Sequence, residues 1–227
     1  MKKFAVLLSG CGVYDGSEIQ EAVFTLLSIS ENGASYQCFA PNIDQHHVIN
    51  HLTGEEMNEK RNALTEAARI ARGEIKDLSA YEAGDFDGLV IPGGFGAAKN
   101  LTKWAFEGPA GDINAEVKRS ILDTINTNKP MAGLCMGPTV IAKALQGTST
   151  KAELSVGTTT EASPYDIGAI SQGMEAAGAK AVMKSIREIA IDKQHNIVSA
   201  PCYMMEGSIV DVRKNIDQAV KKLIELA

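Results

Sequence analysis

Absences bound this chain first. It has no excess of positive charge: 22 lysines and arginines stand against 28 aspartates and glutamates, for a net charge of −6. That balance argues against nucleic acid or an anionic membrane as the main partner. The four cysteines, at positions 11, 38, 135 and 202, make no CxxC pair and no close-set framework. Reduced thiols in a cytoplasmic protein are therefore expected. No apolar stretch approaches the length of a membrane span. No internal repeat or low-complexity linker divides the 227 residues, so one domain over 1–227 is expected. Its 44% apolar and 22% charged content suits a soluble globular chain with a sizeable core.

The amino terminus, Met1-Lys2-Lys3 and an apolar run ending in Leu8-Ser9-Gly10-Cys11, imitates a lipoprotein signal. The run Phe4 to Leu8 is shorter than the roughly 7–15 residues such a signal needs. It reads instead as a first buried parallel strand.

Beyond it, strand-like and helix-like segments alternate, the pattern of an α/β fold with a parallel sheet and helices on both faces. Ser17 is placed as an N-cap for a helix whose apolar positions run from Ile19 to Ile29 and stop at Asn32-Gly33. Strands are expected at 35–40, 86–91 and from Pro130 onward, and later near 154–156, 180–183, 187–192 and 197–200. Residues 42–80 read as an insertion holding one helix, roughly 55–71. Further helices are expected over 113–127, from Cys135 to about Leu145, and over 206–226.

The most informative feature is Gly133-Leu134-Cys135-Met136-Gly137, a G-x-C-x-G pentapeptide after an apolar run and before Pro138 and a helical pattern. It is the thiol form of a nucleophile elbow, with glycines where a Cβ would collide. The helix start is expected to lower the Cys135 pKa from about 8.5 to roughly 3.5–7.5 and so populate the thiolate. The bland alternative is a small buried core residue.

Pro92-Gly93-Gly94 follows another strand, and strand carboxyl ends share one crevice in open parallel sheets. Gly94 and Met136 N–H groups there would form an oxyanion hole. Glu18 and Glu21 begin the first helix at the same sheet edge, where a carboxyl could hold or shuttle a proton; most helix-surface glutamates are simply solvated.

Other signals are weaker. Gly10, Gly12 and Gly16 give G-x-G-x-x-x-G, one residue too long for a dinucleotide fingerprint, and no acid ends the second strand to hold a ribose. His47, His51 and Glu55 would share a helical face, but H-E-x-x-H is missing, so no metal site is assigned. No cofactor is expected. His195 falls in a charged hairpin turn and is a poor base for Cys135. Cys202 reads as packed.

Three stretches together carry a resemblance: Leu8 to Ile19, Asn50-His51-Leu52-Thr53-Gly54-Glu55, and Ile91 to Leu101. They resemble the PfpI-like superfamily, related to class I glutamine amidotransferases, and within it the ElbB-type branch, described as glyoxalases and linked to isoprenoid biosynthesis. The resemblance implies a flavodoxin-like three-layer α/β sandwich, often dimeric, with a nucleophile-elbow cysteine. By position it makes Cys135 the nucleophile, Glu21 the acid bonded to the sulfur, and Gly93 and Gly94 the oxyanion-side glycines.

Two departures matter. Protease-like relatives carry a histidine directly after the cysteine, where this chain has Met136, and no histidine lies near Ser155 to Thr159. A Cys–His–acid triad is not expected, which disfavours protease or glutaminase chemistry. The expected function is a cofactor-free, glutathione-independent glyoxalase (a lyase) of modest rate, forming glycolate from glyoxal, in a homodimer. Alternatives are a redox sensor with an oxidisable Cys135 and a glutaminase needing a synthase partner.

Overall fold

Strands buried on both faces read as unbroken apolar runs, and Phe4-Ala5-Val6-Leu7, Gly88 to Ile91 and Met131 to Leu134 are buried throughout. In the computed structural model, which describes residues 1–227, they form the middle of a sheet. The seven strands are β1 (Lys3–Leu7), β2 (Ser35–Ala40), β3 (Ile75–Asp77), β4 (Gly88–Ile91), β5 (Met131–Leu134), β8 (Ala190–Asp192) and β9 (Ile197–Ala200). Their spatial order is β3-β2-β1-β4-β5-β9-β8, and only β8 runs antiparallel to its neighbour. Short strands β6 (Glu153–Leu154) and β7 (Lys180–Ala181) pair separately.

The helices are α1 (Ile19–Glu31), α2 (Ala63–Ile70), α3 (Trp104–Glu107), α4 (Ala115–Asn126), α5 (Gly137–Leu145), α6 (Ile167–Ala176) and α7 (Ile209–Leu226). Chain order moves outward from β1 to β2 and β3, then reverses to β4 and β5. Right-handed crossovers therefore place α1 and α4 on opposite faces. Helix α1 packs on α7 and α4 on α5, giving three layers around one cluster of 55 buried apolar residues. The expected flavodoxin-like α/β class is the one observed. Reversal between β1 and β4 leaves a crevice beyond their carboxyl ends, the usual ligand position in such sheets.

Several boundaries need correction. Ser17 does not cap α1; its hydroxyl accepts the Ser9 N–H (2.8 Å), and Glu18 caps instead by accepting the Glu21 N–H (2.6 Å). A longer side chain reaches the same donor while Ser17 is drawn inward. The helix expected at 55–71 begins only at Ala63, where the Asn62 side chain accepts the Thr65 N–H. Residues 44–62 are irregular, with antiparallel bridges Asp44–Asn62 and Ile49–Glu56 folding them back on themselves. The shared helical face assumed for His47, His51 and Glu55 therefore does not exist. Strand β3 and helices α3 and α6 were not anticipated.

Candidate active site

Three strand ends build the site. Cys135 lies between β5 and α5 with φ +55, a left-handed conformation rare for a side-chain-bearing residue. Its N–H donates to Ala200 O (2.9 Å), continuing the β5–β9 ladder by one residue into the turn. The Gly94 and Met136 N–H groups both approach the sulfur. The two expected oxyanion donors and the thiol thus converge.

Glu21 sits in the first turn of α1 and is fully buried. Its Oε1 accepts the Tyr203 N–H (3.1 Å) from the turn after β9. Oε2 has no partner of strict hydrogen-bond geometry. The Cys135 thiol and Gly93 N–H lie beside it and favour its ionised form, but burial outweighs them and, with the Glu18 charge, lifts its pKa to about 8. At neutral pH this carboxyl is mostly protonated.

Gly93 explains how three groups come so close. A Cβ at that position would lie 2.3 Å from Cys135 Cβ, 2.4 Å from Glu21 Oε2 and 2.7 Å from Cys135 Sγ. Gly94 needs its glycine twice over: φ is +99°, and a Cβ would sit 2.3 Å from Glu18 N. The sequence-predicted set of Cys135, Glu21, Gly93, Gly94 and Met136 is brought together.

The ionisation of Cys135 is the opposite of that expected. Burial, then the Glu21 charge, push its thiol well above the ordinary value, and the Gly94 and Met136 N–H groups offset this only in part. A helix start stabilises a thiolate where solvent does the rest; here Cys135 is 5% exposed and faces an acid. The resting state is a thiol.

That thiol opens onto an apolar cavity of about 250 Å³. Phe95, Trp104, Met136, Tyr165, Ile170 and Tyr203 are the large side chains of its wall, and Glu18 rather than Glu21 is the acid facing it. Part of the wall is carried by the missed elements: Trp104 by α3, and Ile170 with Tyr165 by α6 and its entry turn. The α6 signal was present, since Asp166 caps the helix and Ile167, Ile170 and Met174 keep helical spacing.

A second, more open groove shares Phe95, Ala105 and Tyr165 with the first and adds Tyr14, His47, Ile49 and Lys99. The segment after β2 thus borders the approach to the thiol. It is tied down by Asn100, whose Nδ2 donates to Ser9 O (2.9 Å) and Asp15 O (2.8 Å) and whose Oδ1 accepts the His46 N–H. The Asp15 carboxylate accepts the Ile49 N–H (2.7 Å).

His195 pairs with Asp192 (2.8 Å) at the start of β9. Cys135 adjoins the other end of that strand, roughly 16 Å away at strand rise. No histidine lines the cavity. Cys202 is buried, as expected, and its N–H donates to Asn215 Oδ1 (3.0 Å).

Comparisons with known proteins place the whole chain, fold included, in one family. The glutamine amidotransferase class-I family model matches residues 56–223. The chain belongs to that family. It is 39% identical over 226 residues to the human "Glutamine amidotransferase-like class 1 domain-containing protein 3, mitochondrial", covering 99% of this chain and 83% of that protein. The rat "ES1 protein homolog, mitochondrial" is 38% identical, with 99% and 84% covered. A crystal structure of an Ehrlichia chaffeensis isoprenoid biosynthesis protein with an amidotransferase-like domain superposes with a TM-score of 0.90 at 31% identity, covering 100% of this chain and 99% of that one.

These relatives overturn the cytoplasmic expectation, because the curated ones are mitochondrial proteins. Unpaired thiols report a reducing environment, not one particular compartment. No helix here is long and apolar enough to cross a membrane.

Proposed function

We propose that this family member is a cofactor-independent glyoxalase acting through Cys135. The observation that carries the reading is a buried thiol held between the Gly94 and Met136 N–H groups and the Glu21 carboxyl, open to a cavity with no histidine. As Sγ bonds to one aldehyde carbon of glyoxal, Glu21 in its carboxylate form takes the thiol proton. The Gly94 and Met136 donors hold the developing oxyanion. Reprotonation gives a hemithioacetal. Loss of its carbon-bound proton and reprotonation at the neighbouring carbon, through an enediol, give a thioester of glycolate. Water cleaves the thioester, releasing glycolate and restoring the thiol.

No oxidant is needed, since one carbon is oxidised as its neighbour is reduced. A glutaminase is less well supported, because His195 is at the wrong end of β9. A redox sensor fares poorly too: easily oxidised thiols have low pKa values, and burial moves this one upward.

The test is conversion of ¹³C-glyoxal to glycolate followed by NMR. Cys135→Ser is expected to reduce turnover by at least about 100-fold while circular dichroism stays unchanged, in line with loss of a covalent nucleophile. Equal turnover by a folded Cys135→Ser protein removes Cys135 from the reaction.

A further inference from the structure

Glyoxal fits the chemistry of the sulfur but not the space above it. A cavity of about 250 Å³ is many times the roughly 10–15 Å³ of such space that a single water needs, and a two-carbon dicarbonyl fills only a fraction of it. The remaining water would lie against Val13, Phe95, Trp104, Met136, Tyr165 and Ile170. Water confined among such side chains is readily displaced by an apolar group, because burying apolar surface is favourable. Aromatic faces at several angles also suit a flat ring.

Charge narrows the choice further. No lysine, arginine or histidine lines the inner cavity, and its one acidic residue is Glu18. Glu18 is held in place as the N-cap of α1. A carboxylate on the ligand would be buried beside it with no counter-ion in that cavity, an unfavourable arrangement, since Lys99, over the Phe95 ring, belongs to the more open groove.

We propose that the cavity above Cys135 selects uncharged carbonyl compounds bearing an aromatic or branched apolar substituent, and that glyoxal is an undersized member of the class. As a substrate assignment this rests on the glyoxalase reading; as a binding assignment it rests on the cavity alone. The carbonyl end meets Sγ and the two N–H donors. Its substituent fills the space between the Phe95–Tyr165 pair, whose rings cross edge to face at 5.8 Å, and Trp104.

Two measurements separate the assignments. Turnover of phenylglyoxal, glyoxal and 4-carboxyphenylglyoxal is compared on the intact protein. Expected is a kcat/KM for phenylglyoxal at least tenfold above glyoxal, and a drop of at least tenfold on adding the carboxylate. Glu18→Gln, which keeps a capping oxygen, is expected to shrink that carboxylate penalty.

In parallel, Cys135 is alkylated by phenacyl bromide, iodoacetamide and iodoacetate, each rate divided by that for glutathione. Phenacyl bromide is expected to lead by at least tenfold, and iodoacetate to trail. Turnover of glyoxal with no aromatic preference in either series overturns the proposal and leaves the glyoxalase reading standing. Absent turnover of all three dicarbonyls, with the alkylation order intact, ends the glyoxalase reading and keeps the ligand class. Equal normalised rates across the alkylating reagents overturn the ligand class whatever the turnover.

Discussion

A carboxyl and a thiol buried side by side cannot both ionise freely, and their order of titration determines the chemistry. Glu21 has a pKa of about 8, whereas Cys135 stays protonated well beyond the ordinary thiol value. Glu21 is therefore the first of the pair to lose its proton, and its carboxylate is the base available to the thiol. The alkylation rate of Cys135 by a neutral reagent is expected to climb as pH rises through about 8. Glu21→Gln should remove that limb and leave only a rise at higher pH. A plateau already reached below neutrality would instead indicate a stable thiolate.

The same shift acts on stability. With the folded pKa raised from 4.5 to about 8, the folded protein binds the extra proton between those values. Its contribution is complete below pH 4.5 and is lost as pH rises through about 8, with a slope of at most about 1.4 kcal/mol per unit. Urea titrations should show a flatter pH dependence for Glu21→Gln over that window; an unchanged slope would mean that Glu21 titrates normally in the fold.

At the scale of elements, the site is a meeting of turns. The ends of β4, β5 and β9 bring Gly94, Cys135 and Tyr203 to the first turn of α1, and Gly93 is the point of closest approach. Gly93→Ala is expected to cost about 1–3 kcal/mol of stability, the usual range for overpacking. It should also slow Cys135 alkylation at least tenfold, because the new methyl occupies the gap between sulfur and carboxyl. Wild-type reactivity and stability together would mean that these elements are less tightly apposed than the geometry indicates.

The elements fixed by an apolar run and by the turn residues at its end were legible from sequence. Strand β2 has the expected boundaries, and β5 and α5 flank the cysteine as the pentapeptide required. The site residues drawn from backbone needs, Gly93 and Gly94, were legible for the same reason. What escaped was set by tertiary contact. The irregular path of 44–62 depends on Asn100 and Asp15, which are distant in sequence. The Cys135 ionisation depends first on how deeply the thiol itself is buried and then on the Glu21 charge, and a motif carries no record of depth.

Across the whole molecule, one apolar cluster joins residues from Phe4 to Leu223 and passes through both helical layers. The segment after β2 contributes little to it, but buried hydrogen bonds from Asn100 fasten that segment to the loops around the site. Such wiring predicts a single cooperative unit. Trp104, the one tryptophan, lies in the cavity wall, whereas far-UV circular dichroism reports every helix. In urea, both signals should fall at one midpoint with one slope. Earlier loss of the Trp104 signal would show that the cavity opens before the sheet does, dividing the chain into a stable core and a separately melting site. Asn100→Ala sharpens the comparison, because it strands two buried carbonyls at about 1–3 kcal/mol each. If the coupling runs as described, that variant shifts both midpoints together; a shift confined to Trp104 would place Asn100 in a local latch.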